Sequence, residues 1–418
     1  MQKRTFLKTL STALLSPLFI SNTLEVSINN NWKRLTDDES EFWEIIRSHY
    51  KIKSEYINLE SGFYNIIPHH ILEKHEEHIK RVNIEGSYYM RNNLIKEKKE
   101  ITRQLAEFVG CDSNHLIITR NTTESLDLII GGYPWNYGDE AIYADQDYGA
   151  MKVMFEQISK RYGVNNKIIS IPNHPESDEE IVSLYESKIT SKTKLIMVCH
   201  MINITGQILP ISKICDMAHR HGVEVMVDGA HCVGHFDFKI DDFNCDYYGS
   251  SLHKWLATPL GAGLLYVNPK HTSKIWPLLA DHNKNLNDIN RLNHIGTHPV
   301  HINLAIEDSL EYINWIGIKR KEERLRYIQR YWTEKLRGKP NVLINTPEDP
   351  KKSCAIANVG LTNMSPGELA DRLFQEHQVF TVAIDYANVK GCRISPNIFT
   401  TTKELDHFVN AIISLSKA

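Results

Sequence analysis

The sequence predicts an α/β protein, with a large domain on a mainly parallel sheet flanked by helices and a smaller α+β C-terminal domain. Three observations lead to that class. The chain has 418 residues, too many for one simple core, and its 42% hydrophobic and 24% charged residues fit a soluble globular protein. Short apolar runs of strand length alternate with amphipathic helical patterns, as in a parallel sheet covered on both faces. From about residue 300 the alternation stops, and a long charged helical pattern leads into a mixed tail.

The elements follow in order. MQKRTFLKTLSTALLSPLFI places Lys3, Arg4 and Lys8 before an apolar stretch that is short and interrupted for a membrane span. It resembles a twin-arginine export signal with Lys3 in place of the first arginine. Residues 1–25 are read as a targeting segment, which predicts export to the periplasm. An uncleaved membrane anchor, a cytoplasmic location and an ordinary amphipathic first helix are the alternatives. Residues 26–60 are expected to pack on the small domain, 61–295 to form the large domain and 296–418 the small one. Strands are predicted at HLIITR (115–120), EAIYAD (140–145), NKIISI (166–171), TKLIMVCH (193–200), VEVMVDGAH (223–231) and GAGLLYV (261–267). Helices are predicted at ESLDLIIGG, AMKVMFEQISKRYG and PISKICDMAHRHG, with Gly163 and Gly222 where C-caps belong. The pattern over 301–338 reads as one long charged helix.

Charge and cysteines narrow the function. A net charge of −3, with no basic cluster, offers no field for nucleic acid. The seven cysteines are scattered, without CxxC pairs or zinc spacing, which argues against a disulfide framework or a metal site. No G-x-G-x-x-G or G-K-[ST] follows an early strand, so a nucleotide-binding protein ranks last.

Ligands of open parallel sheets bind at the C-terminal ends of the strands, so the polar residues there are read chemically. Asp228 follows VEVMV, a strand expected to be buried on both faces. A buried aspartate needs a cation or several hydrogen bonds. A protonated pyridine nitrogen is one such cation; capping of the next turn is the competing reading. Lys254 lies 26 positions on, in GSSLHKWLATPLGAG. A lysine that attacks a carbonyl needs a desolvated slot that lowers its pKa, and small residues, an aromatic and Pro supply that setting. Ser251 and His253 stand where they can donate to a phosphate.

With these residues the chain resembles the class V aminotransferase-fold, pyridoxal phosphate-dependent enzymes, in particular the isopenicillin N epimerase-like branch, a relative of cysteine desulfurases and selenocysteine lyases. The resemblance covers about residues 55–415 and implies fold type I, with pyridoxal 5′-phosphate in the large domain. It implies that Lys254 forms the Schiff base with the cofactor and Asp228 meets the ring nitrogen. TRNTTESLDLI resembles the phosphate loop, placing Thr122 and Thr123 at a helix N-terminus that favours an anion; an ordinary helix cap is the other reading. DQDYGAMKV resembles the segment with the ring-stacking residue, here Tyr148. CHMINITGQILP resembles the family's H-x-x-N-x-x-G stretch, giving Asn203 the ring hydroxyl. His231, which replaces the Gln of some relatives, approaches the same oxygen or the ring. HIGTHPV resembles a loop that reaches the neighbouring subunit's phosphate, so Thr297 would act in trans in a homodimer with shared active sites. GCRISPNIFTT resembles the small-domain motif whose arginine, Arg393, grips the substrate carboxylate through its planar fork.

One absence discriminates. Cysteine desulfurases use a mobile cysteine upstream of that arginine, and QEHQVFTVAIDYANVK (375–390) contains none. A desulfurase that passes on a persulfide is therefore not expected. The expected function is pyridoxal phosphate chemistry at the Cα of an amino acid or derivative, with epimerase, aminotransferase and β-lyase outcomes open. A cysteine- or selenocysteine-type C–S lyase is the alternative, and a catalytically silent binding protein on the same fold the second.

Overall fold

The computed structural model describes residues 32, 33, 36 and 38–417. The expected targeting segment, residues 1–25, lies outside them. From Thr36 onward the chain forms one compact unit. Helix α1 (Glu39–Ser48) opens on Asp38, whose carboxylate accepts from the Ser40 and Glu41 amides and so satisfies two orphan donors. Strand β1 (Ile57–Asn58) and helices α2 (His69–Glu85), α3 (Ser87–Asn92) and α4 (Leu94–Val109) lead into the main sheet.

That sheet contains β2 (Leu116–Thr119), β3 (Glu140–Ala144), β4 (Asn165–Ile169), β5 (Thr193–Cys199), β6 (Glu224–Asp228), β7 (Tyr247–Ser251) and β8 (Gly263–Val267). Its seven strands run in the order β2-β8-β7-β6-β5-β3-β4, with β8 antiparallel to both neighbours and every other pair parallel. The connections are helical: α5 (Thr122–Gly132), α6 (Gly149–Tyr162), α7 (Asp178–Glu186) and α8 (Ile211–Arg220). Both faces are buried. Along β5, Ile196 and Val198 enter one apolar cluster while Leu195 and Met197 enter the other, as the two-residue period of a strand requires.

Each strand predicted from the sequence is present, and β7 is the addition. Its sequence YYGSS has no aliphatic run, yet all five residues are buried. Gly249 gives α5 a close approach there: a Cβ would come 2.7 Å from Leu126 Cδ2 and 3.1 Å from Ser125 Cβ, and the helix side chains would have to shift. Gly163 ends α6 at φ +71° and Gly222 follows α8 at φ +70°, the left-handed backbone a C-cap needs.

After the short α9 (Pro269–Thr272), the expected long helix is two: α10 (His301–Ile316) and α11 (Ile318–Leu336). Gly317, at φ +86°, breaks the helix between them. The halves then pack on different partners, α10 against α2 and α4, and α11 against α13 (Thr402–Leu415). Strands β9 (Val342–Ile344), β10 (Ala357–Leu361), β12 (Val382–Tyr386) and β13 (Val389–Ile394) form a four-stranded antiparallel sheet in the order β12-β13-β10-β9, and α12 (Pro366–His377) packs against it. β1 pairs in parallel with β11 (Val379–Phe380), and Arg47 of α1 pairs with Glu404 of α13. Among the described residues no helix is long and apolar enough to cross a membrane.

Candidate active site

Parallel pairing of β6 with β7 sets Asp228 opposite Gly249, so the chain leaves the sheet at Asp228 and returns to the same level one strand over. Lys254 lies three residues beyond the end of β7, in a turn where Leu252 N–H bonds to Ala262 O at 2.9 Å and Ala257 takes φ +60°. A non-glycine residue in that region is strained, and here the strain accompanies a tight turn around the lysine.

A cavity of about 330 Å³ opens over these strand ends. Thr122, Thr123, Tyr148, Asn203, Asp228, His231, Ser251, His253, Lys254 and Arg393 all line it. Thr297 does not; it lies exposed in the loop before α10 and outside this cavity. Tyr88 and Tyr89 do not line the cavity: Tyr88 is exposed, and Tyr89 is fully buried with its hydroxyl on Glu97. Gly62 and Phe63, in the loop after β1, do line it.

Lys254 Nζ lies 3.1 Å from His231 Nε2, and burial lowers the lysine pKa to about 8. Burial raises the pKa of Asp228, with the Ala230 amide and Lys254 pulling the other way. His231 is held well below its ordinary pKa by burial, and next by the charge of Lys254. His253 Nδ1–H donates to Ala262 O at 3.2 Å, and burial lowers the ring's pKa to about 4. Thr122 N–H donates to Ser251 Oγ at 3.0 Å, and the two hydroxyls lie 2.7 Å apart, joining the α5 N-terminus to the end of β7.

The sequence reading missed how Arg393 is held. Its Nη2 and Nε donate to Glu60 at 2.5 and 3.1 Å, and its Nη1 to Asn203 O at 3.3 Å. Glu60 also accepts from Phe63 N and Ser395 Oγ, so β13 and the 60–63 loop close on the arginine together. Glu60 was passed over because a single carboxylate in NLESG has no periodic or motif signal. Cys199, at the end of β5, is a second omission. Burial, then the charges of Asp147 and Asp228, keep its thiol protonated, and burial raises the pKa of Asp147 to about 7.

The donor set fits pyridoxal phosphate. Asn203 Oδ1 is buried with no hydrogen-bond partner, and Asp228 Oδ2 accepts none from the described residues, which leaves both for a ligand. The α5 N-terminus, with two threonines lining the cavity, suits a phosphate. A lysine amine, a buried acid and a helix N-terminus around one cavity at the C-terminal edge of this sheet define the fold type I pyridoxal phosphate-dependent enzymes.

A family model described as Aminotransferase class-V matches residues 66–408. The chain belongs to that family. It is 24% identical over 391 residues to the isopenicillin N epimerase of Streptomyces clavuligerus, covering 90% of this chain and 98% of that one. The apo structure of a cysteine desulfurase from Thermococcus onnurineus NA1 superposes with a TM-score of 0.79 at 20% identity, covering 90% of this chain and 98% of that one. A cystine C–S lyase in complex with its product cysteine persulfide gives a TM-score of 0.77 at 20% identity, covering 86% and 98%.

Proposed function

We propose that this enzyme acts at the Cα of an amino acid or amino-acid derivative, with Lys254 as the group that holds pyridoxal phosphate and then moves the Cα proton. The carrying observation is a lysine whose burial brings its pKa to about 8, in one cavity with a buried, under-bonded aspartate. When bound, the cofactor supplies an electron sink for the pair released at Cα.

The chain's residues supply the rest. Asp228 Oδ2 would accept from the protonated ring nitrogen, and that cation would offset the burial cost that raises its pKa. Thr122, Thr123, Ser251 and His253 would hold the phosphate, Asn203 and His231 would serve the ring hydroxyl, and the half-exposed Tyr148 would offer an aromatic surface to the ring. Arg393, locked by Glu60 and Asn203 O, has one further N–H on each of Nη1 and Nη2 to offer a substrate carboxylate, which would orient the substrate at Cα. Lys254 is poised as a base because desolvation places its pKa near working pH.

A homodimer with Thr297 acting in trans is part of this reading. It is supported by Thr297 standing clear of its own cavity and by the exposed Trp276, Leu278, Leu279 and Leu286 in the preceding segment. The basic-then-apolar residues 1–25 support export to the periplasm, which a reporter fused behind them tests.

The reaction is tested by screening the holo-protein against amino acids in heavy water, following Cα deuterium exchange, keto acid and sulfide. Exchange without product identifies an epimerase, keto acid an aminotransferase and sulfide a C–S lyase. Lys254→Ala is expected to lose covalent attachment of the cofactor while remaining folded; retained attachment would overturn the scheme. Within the lyase outcome, direct elimination is favoured over a persulfide relay, because the thiol in the cavity, Cys199, is protonated and buried.

A further inference from the structure

Trp255, directly after the lysine, reaches the site through His231. Its indole Nε1–H lies 3.4 Å from His231 Nδ1. An indole nitrogen can only donate, so Nδ1 must accept. His231 is neutral in this buried setting, so its one ring proton sits on Nε2, 3.1 Å from Lys254 Nζ. An N–H can meet Nζ only as donor to its lone pair, which an ammonium lacks. The indole therefore selects a histidine tautomer that accommodates Lys254 only as a free amine.

We infer that Trp255 is a positioning residue for proton transfer: its indole fixes the Nε2–H tautomer of His231, and His231 holds Lys254 as the free amine whenever the lysine is not bound to the cofactor. When Lys254 takes a proton, the contact with His231 turns repulsive and favours handing the proton on.

The surroundings make the indole rigid. Trp255 is fully buried and stacks on His235, with ring centroids 3.8 Å apart and planes at 21°. Its carbonyl accepts from the buried Lys321 of α11 at 2.5 Å. His235 Nε2 accepts from Ala355 N–H at 3.0 Å, so its proton is on Nδ1 and donates to His231 O at 2.7 Å. His231 is thus gripped at its carbonyl and its ring. The other ionisable groups around Lys254 are Asp228, Arg393, Glu60, Cys199 and His253, and none of them bonds His231 Nδ1.

The inference deepens the role given to Lys254 and rests on it, so its test uses the cofactor-free protein. The reaction rate of Lys254 with acetic anhydride, read by peptide mass spectrometry across pH, gives its pKa, and ¹⁵N NMR of His231 gives the tautomer. Trp255→Phe keeps the stack on His235 and removes the donor. It is expected to mix the His231 tautomers and lower Lys254 reactivity at neutral pH about tenfold, one pKa unit. Unchanged reactivity and tautomer would overturn the proposal. Should Trp255→Phe not fold, His231 variants decide. His231→Gln can accept from the indole and donate to the lysine at once, so it is expected to stay near wild type, whereas His231→Leu falls about tenfold. Equal reactivity of the Leu and Gln variants would sink the relay. These readouts stand whether or not the holo-protein turns over an amino acid.

Discussion

Two aspartates buried at opposite ends of the same pair of strands have opposite surroundings. Asp246, just before β7, accepts from His271 at 2.7 Å, from Val225 N–H at 2.8 Å, from His219 at 2.9 Å and from Lys270 at 3.0 Å. Burial alone would raise its pKa, but the hydrogen bonds from His271, His219, Val225 and Lys270 outweigh burial and hold the carboxyl below its usual range. Asp228, at the far end of β6, accepts one backbone bond at 3.0 Å, and burial raises its pKa. A saturated buried charge is a structural clamp. An unsaturated one keeps acceptor capacity that a bound cation would complete, as the proposed function requires of Asp228.

Substitutions can break that contrast. Asp246→Asn strands two histidines and a lysine around a neutral amide and is expected to lower stability by about 3–5 kcal/mol, read by urea unfolding. Its acid limb gives the sign. A depressed folded-state pKa contributes stability above the unfolded value of ~3.9, lost as pH falls toward the folded one, so Asp246→Asn flattens the acid transition. Asp228→Asn should do the reverse. A folded-state pKa above the unfolded value costs stability at neutral pH, so the cofactor-free variant unfolds at the same or a higher midpoint, while turnover falls on the order of 10²–10³-fold.

Two smaller effects sharpen the comparison. Glu60 lines no motif but is saturated like Asp246, so Glu60→Gln is expected to lower stability by about 1–3 kcal/mol and leave the visible spectrum of the bound cofactor intact. A lost spectrum would move Glu60 into the Asp228 class. Cys199→Ala removes a buried thiol and should cost about 1 kcal/mol in thermal unfolding with turnover retained. Abolished turnover would reinstate a thiol in the chemistry.

How much of this was legible in the sequence follows from periodicity. β5 and β6 announce themselves by aliphatic runs, because a strand buried on both faces has no polar position to spend. Asp228 and Lys254 were readable for a related reason: each interrupts an apolar or small-residue run beside a strand end, where a charge needs a partner. β7 was not readable, since YYGSS is apolar only by its surroundings. The split of α10 from α11 rested on Gly317, and a glycine inside a helical pattern is ambiguous until the packing of each half is known.

The sequence by itself determined the fold class and singled out Asp228, Lys254 and nearly all of the polar residues that line the cavity with them, because these depend on local chemistry and strand order. Tertiary structure alone decided that Glu60 locks Arg393 across 333 positions of chain, that Cys199 is a protonated bystander, and that Trp255 dictates the tautomer of His231. Each of those depends on which atoms meet and how deeply they are buried, and neither distance nor desolvation is written in a one-dimensional pattern.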